Sequence, residues 1–176
     1  MKNYLNQNKS IALIGFMGVG KTTLGKTLAK NLDYKPIDID KEIVRKFNMP
    51  ITDIFAQYGE DTFRETEKTM TIHWAKEKQN VLSLGGGAFL QNEIKQACLN
   101  HCIVIYLEMS WEYWKKRLGQ LIDTRPLLQG KDINDIRNLF EQRIKQYQDF
   151  HLKVDIDGLS IEEGTKKLTK ILKDKA

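Results

Sequence analysis

Four apolar residues, 11–14, run directly into Gly15-Phe16-Met17-Gly18-Val19-Gly20-Lys21-Thr22-Thr23, and a helical pattern carrying Leu24, Leu28 and Leu32 follows. No other feature restricts the fold so strongly. Glycines let a backbone wrap closely enough for several N–H groups to point into one concavity. The helix behind them adds the positive end of its dipole. A strand–loop–helix corner of this kind receives phosphate, and the Gly-x-x-x-x-Gly-Lys-Thr spacing is that of a nucleotide phosphate loop. Lys21 is placed to neutralise the β- and γ-phosphates, and the Thr22 hydroxyl to ligate Mg²⁺. Gly18, Val19, Gly20, Lys21, Thr22 and Thr23 are thus candidate ATP contacts.

The rest of the chain alternates in the same way. Strand-length apolar runs recur at residues 36–39, 81–84 and 102–107, and more weakly at 152–156, with helical stretches between them. Short continuous apolar strands separated by helices point to a parallel sheet covered on both faces. The expectation is a doubly wound, five-stranded α/β domain over residues 10–176, after a polar tail at 1–9. Residues 41–78 are too many for one crossover and predict several helices, the last from about 60 to 78. Residues 119–131 read as a loop with Gly119, Pro126 and Gly130, and a helix is expected over 133–150. Loops of about a dozen residues without their own structure often serve as lids.

Composition narrows the function classes. A net charge of +5 comes from 28 basic residues scattered among 23 acidic ones, with no basic run interleaved with stacking aromatics, so a nucleic-acid partner is not expected. No run approaches the roughly 20 apolar residues that cross a bilayer. The first ten residues lack the apolar core of a secretory signal, so a cytoplasmic location is expected. Cys98 and Cys102 have no second pair and no histidine cluster to build a zinc site, and read as two reduced thiols.

A phosphate loop serves switches, motors and kinases alike, so other residues must choose the reaction. Asp38 and Asp40 end the second strand. Residues two apart on a strand face the same way, so both carboxylates can project at the sheet edge where ligands of open α/β sheets sit. One can hold a magnesium-bound water while the other takes a proton from an attacking hydroxyl. Alternatively, Asp40 caps the helix that begins at Lys41. Arg64, in Phe63-Arg64-Glu65-Thr66-Glu67, is either a solvated helix residue or an acceptor contact. Gly85-Gly86-Gly87, directly after a buried strand, suit a close approach of a ligand to the backbone. Ser83 stands where many phosphate-loop proteins carry a magnesium-holding aspartate. Asp123-Thr124-Arg125-Pro126-Leu127-Leu128 puts an arginine on the lid, where it can cover a transferring phosphoryl group. Arg143 lies near Arg137 and Lys145 in the next helix, and Arg117 precedes the lid.

In this order, the Gly-Lys-Thr-Thr loop, the Asp-x-Asp, the Phe-Arg-x-x-Glu, the triple glycine and the Arg-Pro-Leu-Leu resemble shikimate kinases, over about residues 11–170. The resemblance implies ATP-dependent phosphorylation of shikimate at its 3-hydroxyl; a monomer is expected. It implies that Thr22 ligates Mg²⁺ and that Asp38 does so through water. It implies Lys21, Asp40 and Arg125 as catalytic groups, with Asp40 the base. Asp40, Arg64, Gly86 and Arg143 would bind shikimate, and Arg117 and Arg125 would reach ATP. One departure stands out: where the family often has an adenine-enclosing arginine after the last strand, this chain has Asp157-Gly158-Leu159-Ser160. A gluconate or nucleoside-monophosphate kinase would share the loop and lid with a different acceptor pocket. A switch protein would bind ATP and transfer nothing.

Overall fold

Strand β1 (Ser10–Ile14) forms the middle of the sheet because both of its faces are apolar: Ile11 and Leu13 enter one core, Ala12 and Ile14 the other. The computed structural model describes residues 8–121, 128 and 130–174. Around β1 lie β2 (Lys35–Asp38), β3 (Asn80–Ser83), β4 (Cys102–Glu108) and β5 (Leu152–Asp155), all parallel, in the order β2-β3-β1-β4-β5. Strand β4 repeats the two-sided pattern, with Ile103, Ile105 and Leu107 on one face and Val104 and Tyr106 on the other. The edges are half-covered: Lys153 and Asp155 of β5 are exposed, and Pro36, which has no N–H for a ladder, sits on edge strand β2.

Helices α1 (Lys21–Leu32), α7 (Ile133–Gln146) and α8 (Ile161–Asp174) cover one face together with the short α5 (Trp111–Lys115). Helices α2 (Ile39–Phe47), α3 (Ile51–Lys76) and α4 (Asn92–His101) cover the other. The predicted five strands are all present. Gly59 interrupts α3 at φ 81°, ψ 165°, a backbone region open essentially to glycine alone. A new helical segment therefore starts at Glu60, where the sequence places one. Two expectations need correction. Leu118–Leu121 form a helical turn, α6, inside the segment read as loop; most of the remaining lid lies outside the described residues. Helix α7 stops at Gln146 and not near residue 150, because Tyr147 leaves helical geometry (φ −86°, ψ 72°) and the chain must turn into β5 five residues later.

The topology sets the site. Strand β1 hands the chain to α1 and on toward β2, whereas β3 hands it across to β4 on the other side. Adjacent strands whose connections diverge open a crevice at their C-terminal ends. Among the described residues, no helix is long and apolar enough to cross a membrane.

Candidate active site

The crevice is a cleft of about 200 Å³ lined by Gly18, Gly20, Lys21, Thr22 and Thr23 on one side and by Asp38, Asp40, Ser83, Gly85 and Gly86 on the other. The phosphate loop forms its floor. Gly20 takes φ 103° as α1 begins, and α1 has neither a side-chain cap nor an acid in its first turn. Its leading N–H groups therefore remain for an anion. Lys21 is only 8% exposed, and its ammonium donates to the carbonyls of Gly15 (2.7 Å) and Phe16 (2.9 Å). Under the loop, Trp114 Nε1 donates to the Met17 carbonyl at 2.7 Å, and Phe16 packs edge-on against Trp114 and Phe140. The glycine loop is thus held from below by aromatic rings.

Strand β3 is tied to this floor by Ser83, whose hydroxyl donates to the Lys21 carbonyl at 3.0 Å. The contact is close enough that a Cβ on Gly25 would stand 2.6 Å from Ser83 Oγ, which explains a glycine inside α1. In place of an aspartate on metal, this position carries a serine that joins sheet to helix.

Asp38 and Asp40 both reach the cleft, though not as paired strand residues. Strand β2 ends at Asp38, which caps α2 by accepting from the Lys41 N–H (3.1 Å); Asp40 lies in the first turn of α2. The cap is therefore Asp38 and not Asp40, because the helix starts two residues earlier than the sequence reading places it. The second oxygen of Asp38 accepts from Thr22 Oγ1 at 2.6 Å. A hydroxyl and a carboxylate so close form a hard oxygen pair. Among the described residues no group of three or more His, Cys, Asp or Glu could hold an ion. The oxygen pair fits Mg²⁺, which takes one or two protein oxygens and completes its shell with phosphate and water.

Arg64 is not a solvated helix residue. Its side chain is 29% exposed and pairs with Glu67 (2.8 Å) and Glu60 (3.2 Å). The three glycines accommodate this arrangement. A Cβ on Gly85 would lie 2.8 Å from Glu67 Oε1 and 3.0 Å from Asp40 Oδ1, one on Gly86 3.2 Å from the Met17 nitrogen, and one on Gly87 3.3 Å from Arg64 Nη1. The space expected for a ligand is bordered by the protein's own carboxylates, loop backbone and guanidinium.

Glu67 is the partner that sequence reasoning left without a role. It is 1% exposed and accepts from Arg64 and from Gln91 Nε2, both at 2.8 Å. Burial raises its carboxyl above the ordinary 4.5; Arg64 pulls it down, the nearby Asp40 charge pushes it up, and burial prevails. A carboxyl raised by folding lends stability that is full below 4.5 and is lost as pH climbs through the raised value. Glu67→Gln undergoes no such loss. In thermal melts from about pH 4 to 8, the variant should gain on the unmodified protein as pH rises. A Tm difference independent of pH would contradict the assignment.

The remaining candidates are placed as follows. Arg117 Nη1 donates to the Gly18 carbonyl at 3.2 Å, beside Val19. Arg143 lies one turn before Tyr147 on α7, near enough for its charge to act on the Tyr147 phenol. Arg125 lies outside the described residues.

A phosphate loop on β1, an uncapped α1, an oxygen pair at Thr22 and Asp38 and a second carboxylate across the cleft define a P-loop protein with the fold of small-molecule kinases. The sequence profile of the shikimate kinase family matches residues 17–173. The shikimate kinase of Oceanobacillus iheyensis is 49% identical over 95% of this chain and 91% of its own length; that of Bacillus licheniformis is 46% identical over 95% of each. The structure of shikimate kinase from Acinetobacter baumannii in complex with shikimate superposes with a TM-score of 0.88 at 31% identity, covering 95% of this chain and 94% of that one. The chain belongs to the shikimate kinase family.

Proposed function

We propose that this chain transfers the γ-phosphoryl group of Mg·ATP to the 3-hydroxyl of shikimate, giving shikimate 3-phosphate and ADP. The observation that carries the reading is the meeting of phosphate loop and Asp40 in one cleft, with Arg64 held beside the glycines at its rim.

The residues divide the work. Gly18 to Thr23 and the N–H groups of α1 surround the phosphates. Lys21, satisfied by two loop carbonyls, turns to the β- and γ-phosphates when they arrive. Thr22 and Asp38, hydrogen-bonded at 2.6 Å, would hold Mg²⁺ between them, and the ion would neutralise phosphate charge. Asp40 accepts the proton of the attacking hydroxyl as its oxygen bonds to the γ-phosphorus and the bond to the β-phosphate oxygen breaks. The charge of this transition state spreads over the phosphoryl oxygens, so positioning and electrostatics do most of the work. Arg64 and Arg143 grip the shikimate carboxylate, the Gly86 backbone contacts the substrate, and Arg125 covers the phosphoryl group from the lid.

Arg117, which shares a small depression with Val19 and Leu159, flanks adenine. The segment that departs from the family pattern is committed elsewhere. Asp157 accepts from the Ser110 N–H at 2.8 Å, and Ser160 and Glu163 cap α8 reciprocally. The test is whether shikimate stimulates formation of ADP from ATP.

A further inference from the structure

Tyr147, where α7 ends, has no part in the roles assigned above. It is 3% exposed, and its ring stacks on Tyr106 with centroids 5.4 Å apart. A buried phenol needs a hydrogen-bond partner, and this one has two. Its hydroxyl lies 3.2 Å from the Gly15 carbonyl and also bonds the Gly86 carbonyl. These carbonyls belong to opposite halves of the cleft, since Gly15 opens the phosphate loop and Gly86 is the middle acceptor glycine. A phenol donates only one proton, so the two compete for it. Burial pushes the phenol well above its ordinary value against the pull of Arg143, which keeps it a donor.

The Gly15 carbonyl has another donor in the Lys21 ammonium at 2.7 Å. A charged donor is the stronger one, and while it is present Gly15 draws little on the phenol. Once Lys21 turns to a phosphate, the Gly15 carbonyl loses that bond and takes a larger share of the Tyr147 proton. The share it gains is lost at Gly86, whose peptide can then re-aim toward the acceptor. We propose that Tyr147 is a positioning residue that couples the two halves of the site, its single proton divided between phosphate loop and acceptor loop so that nucleotide binding tightens acceptor binding. The proposal rests on the placement of phosphates at the loop and shikimate at Gly86.

Calorimetric titration of shikimate, with and without a non-hydrolysable ATP analogue, tests it in the unmodified protein, in Tyr147→Phe and in Tyr106→Phe. Phenylalanine keeps the stacked ring and removes only the hydroxyl; Tyr106 shares the stack but, among the described residues, bonds neither glycine carbonyl. In the unmodified protein the analogue should lower the Kd for shikimate by about two- to tenfold, the scale of one neutral hydrogen bond. Reciprocity requires the same factor when the analogue is titrated with and without shikimate. In Tyr147→Phe the Gly86 carbonyl is released whether or not nucleotide is bound, so the factor should fall to one and shikimate alone should bind about as tightly as it binds the unmodified protein with the analogue, while Tyr106→Phe keeps the factor. Normal shikimate binding with a factor of one in the unmodified protein overturns the coupling without any variant having to fold. So does a factor unchanged in Tyr147→Phe. No shikimate binding at all to the unmodified protein overturns the functional reading and the coupling together.

Discussion

Asp40→Asn should lower kcat by about 10²- to 10⁴-fold, the range of a lost general base, while ATP affinity stays near that of the unmodified enzyme. The substitution keeps size and shape and removes the charge, and with it the ability to take a proton. Asp38, not Asp40, carries the helix cap and the contact to Thr22, so the metal pair and the start of α2 remain intact. Folding stability should hold or rise, because Asp40 and the buried Glu67 border the same point at Gly85 and neutralising one relieves repulsion on the other. Turnover within a fewfold of normal, measured by ADP release at saturating substrates, would remove Asp40 from the chemistry.

Arg64→Ala should weaken shikimate binding by about ten- to a hundredfold, since hydrogen bonds to a charged group contribute roughly 1.5–3 kcal/mol each. The structure adds a second effect that the sequence alone did not predict. Glu67, 1% exposed, would keep Gln91 as its one side-chain donor among the described residues. Breaking a buried ion pair costs about 3–5 kcal/mol; with Arg64 29% exposed, water can enter and the loss should fall at or below the lower end. The two effects separate in the double variant Arg64→Ala/Glu67→Gln, which removes the stranded charge. Stability should recover substantially there, and shikimate affinity should not. The unmodified enzyme should prefer shikimate strongly over shikimate amide in calorimetric titration, and both Arg64 variants should lose most of that preference. An undiminished preference would return Arg64 to a purely structural ion pair.

What the sequence discloses is what repeats or sits close along the chain. The strands stood out because apolar runs on both faces of β1 and β4 leave no alternation to confuse with an amphipathic surface. The phosphate loop is contiguous, and a helix starting near residue 60 is legible, whereas Gly59, which makes that break in α3, carries no signal of its own. Asp38 and Asp40 read as a pair at a strand end, but a two-residue spacing looks the same across a helix start, which is where Asp40 lies. The supports were invisible for a different reason. Trp114 meets Met17 across 97 residues and Tyr147 meets Gly15 across 132, and no local pattern marks either. Glu67, three residues after Arg64, looks like any exposed helical ion pair until its burial is known. The triple glycine reads as a place of close approach, but its neighbours, Asp40, Glu67, Met17 and Arg64, come together only in the fold.

The central claim is the transfer of phosphate from ATP to shikimate, and one assay addresses it most directly: coupled measurement of ADP release with shikimate, gluconate and AMP offered separately as acceptors. Shikimate should raise ADP formation far above the rate without acceptor, with gluconate and AMP remaining near that background. Stimulation by gluconate or AMP but not by shikimate, or by none of the three, would contradict it.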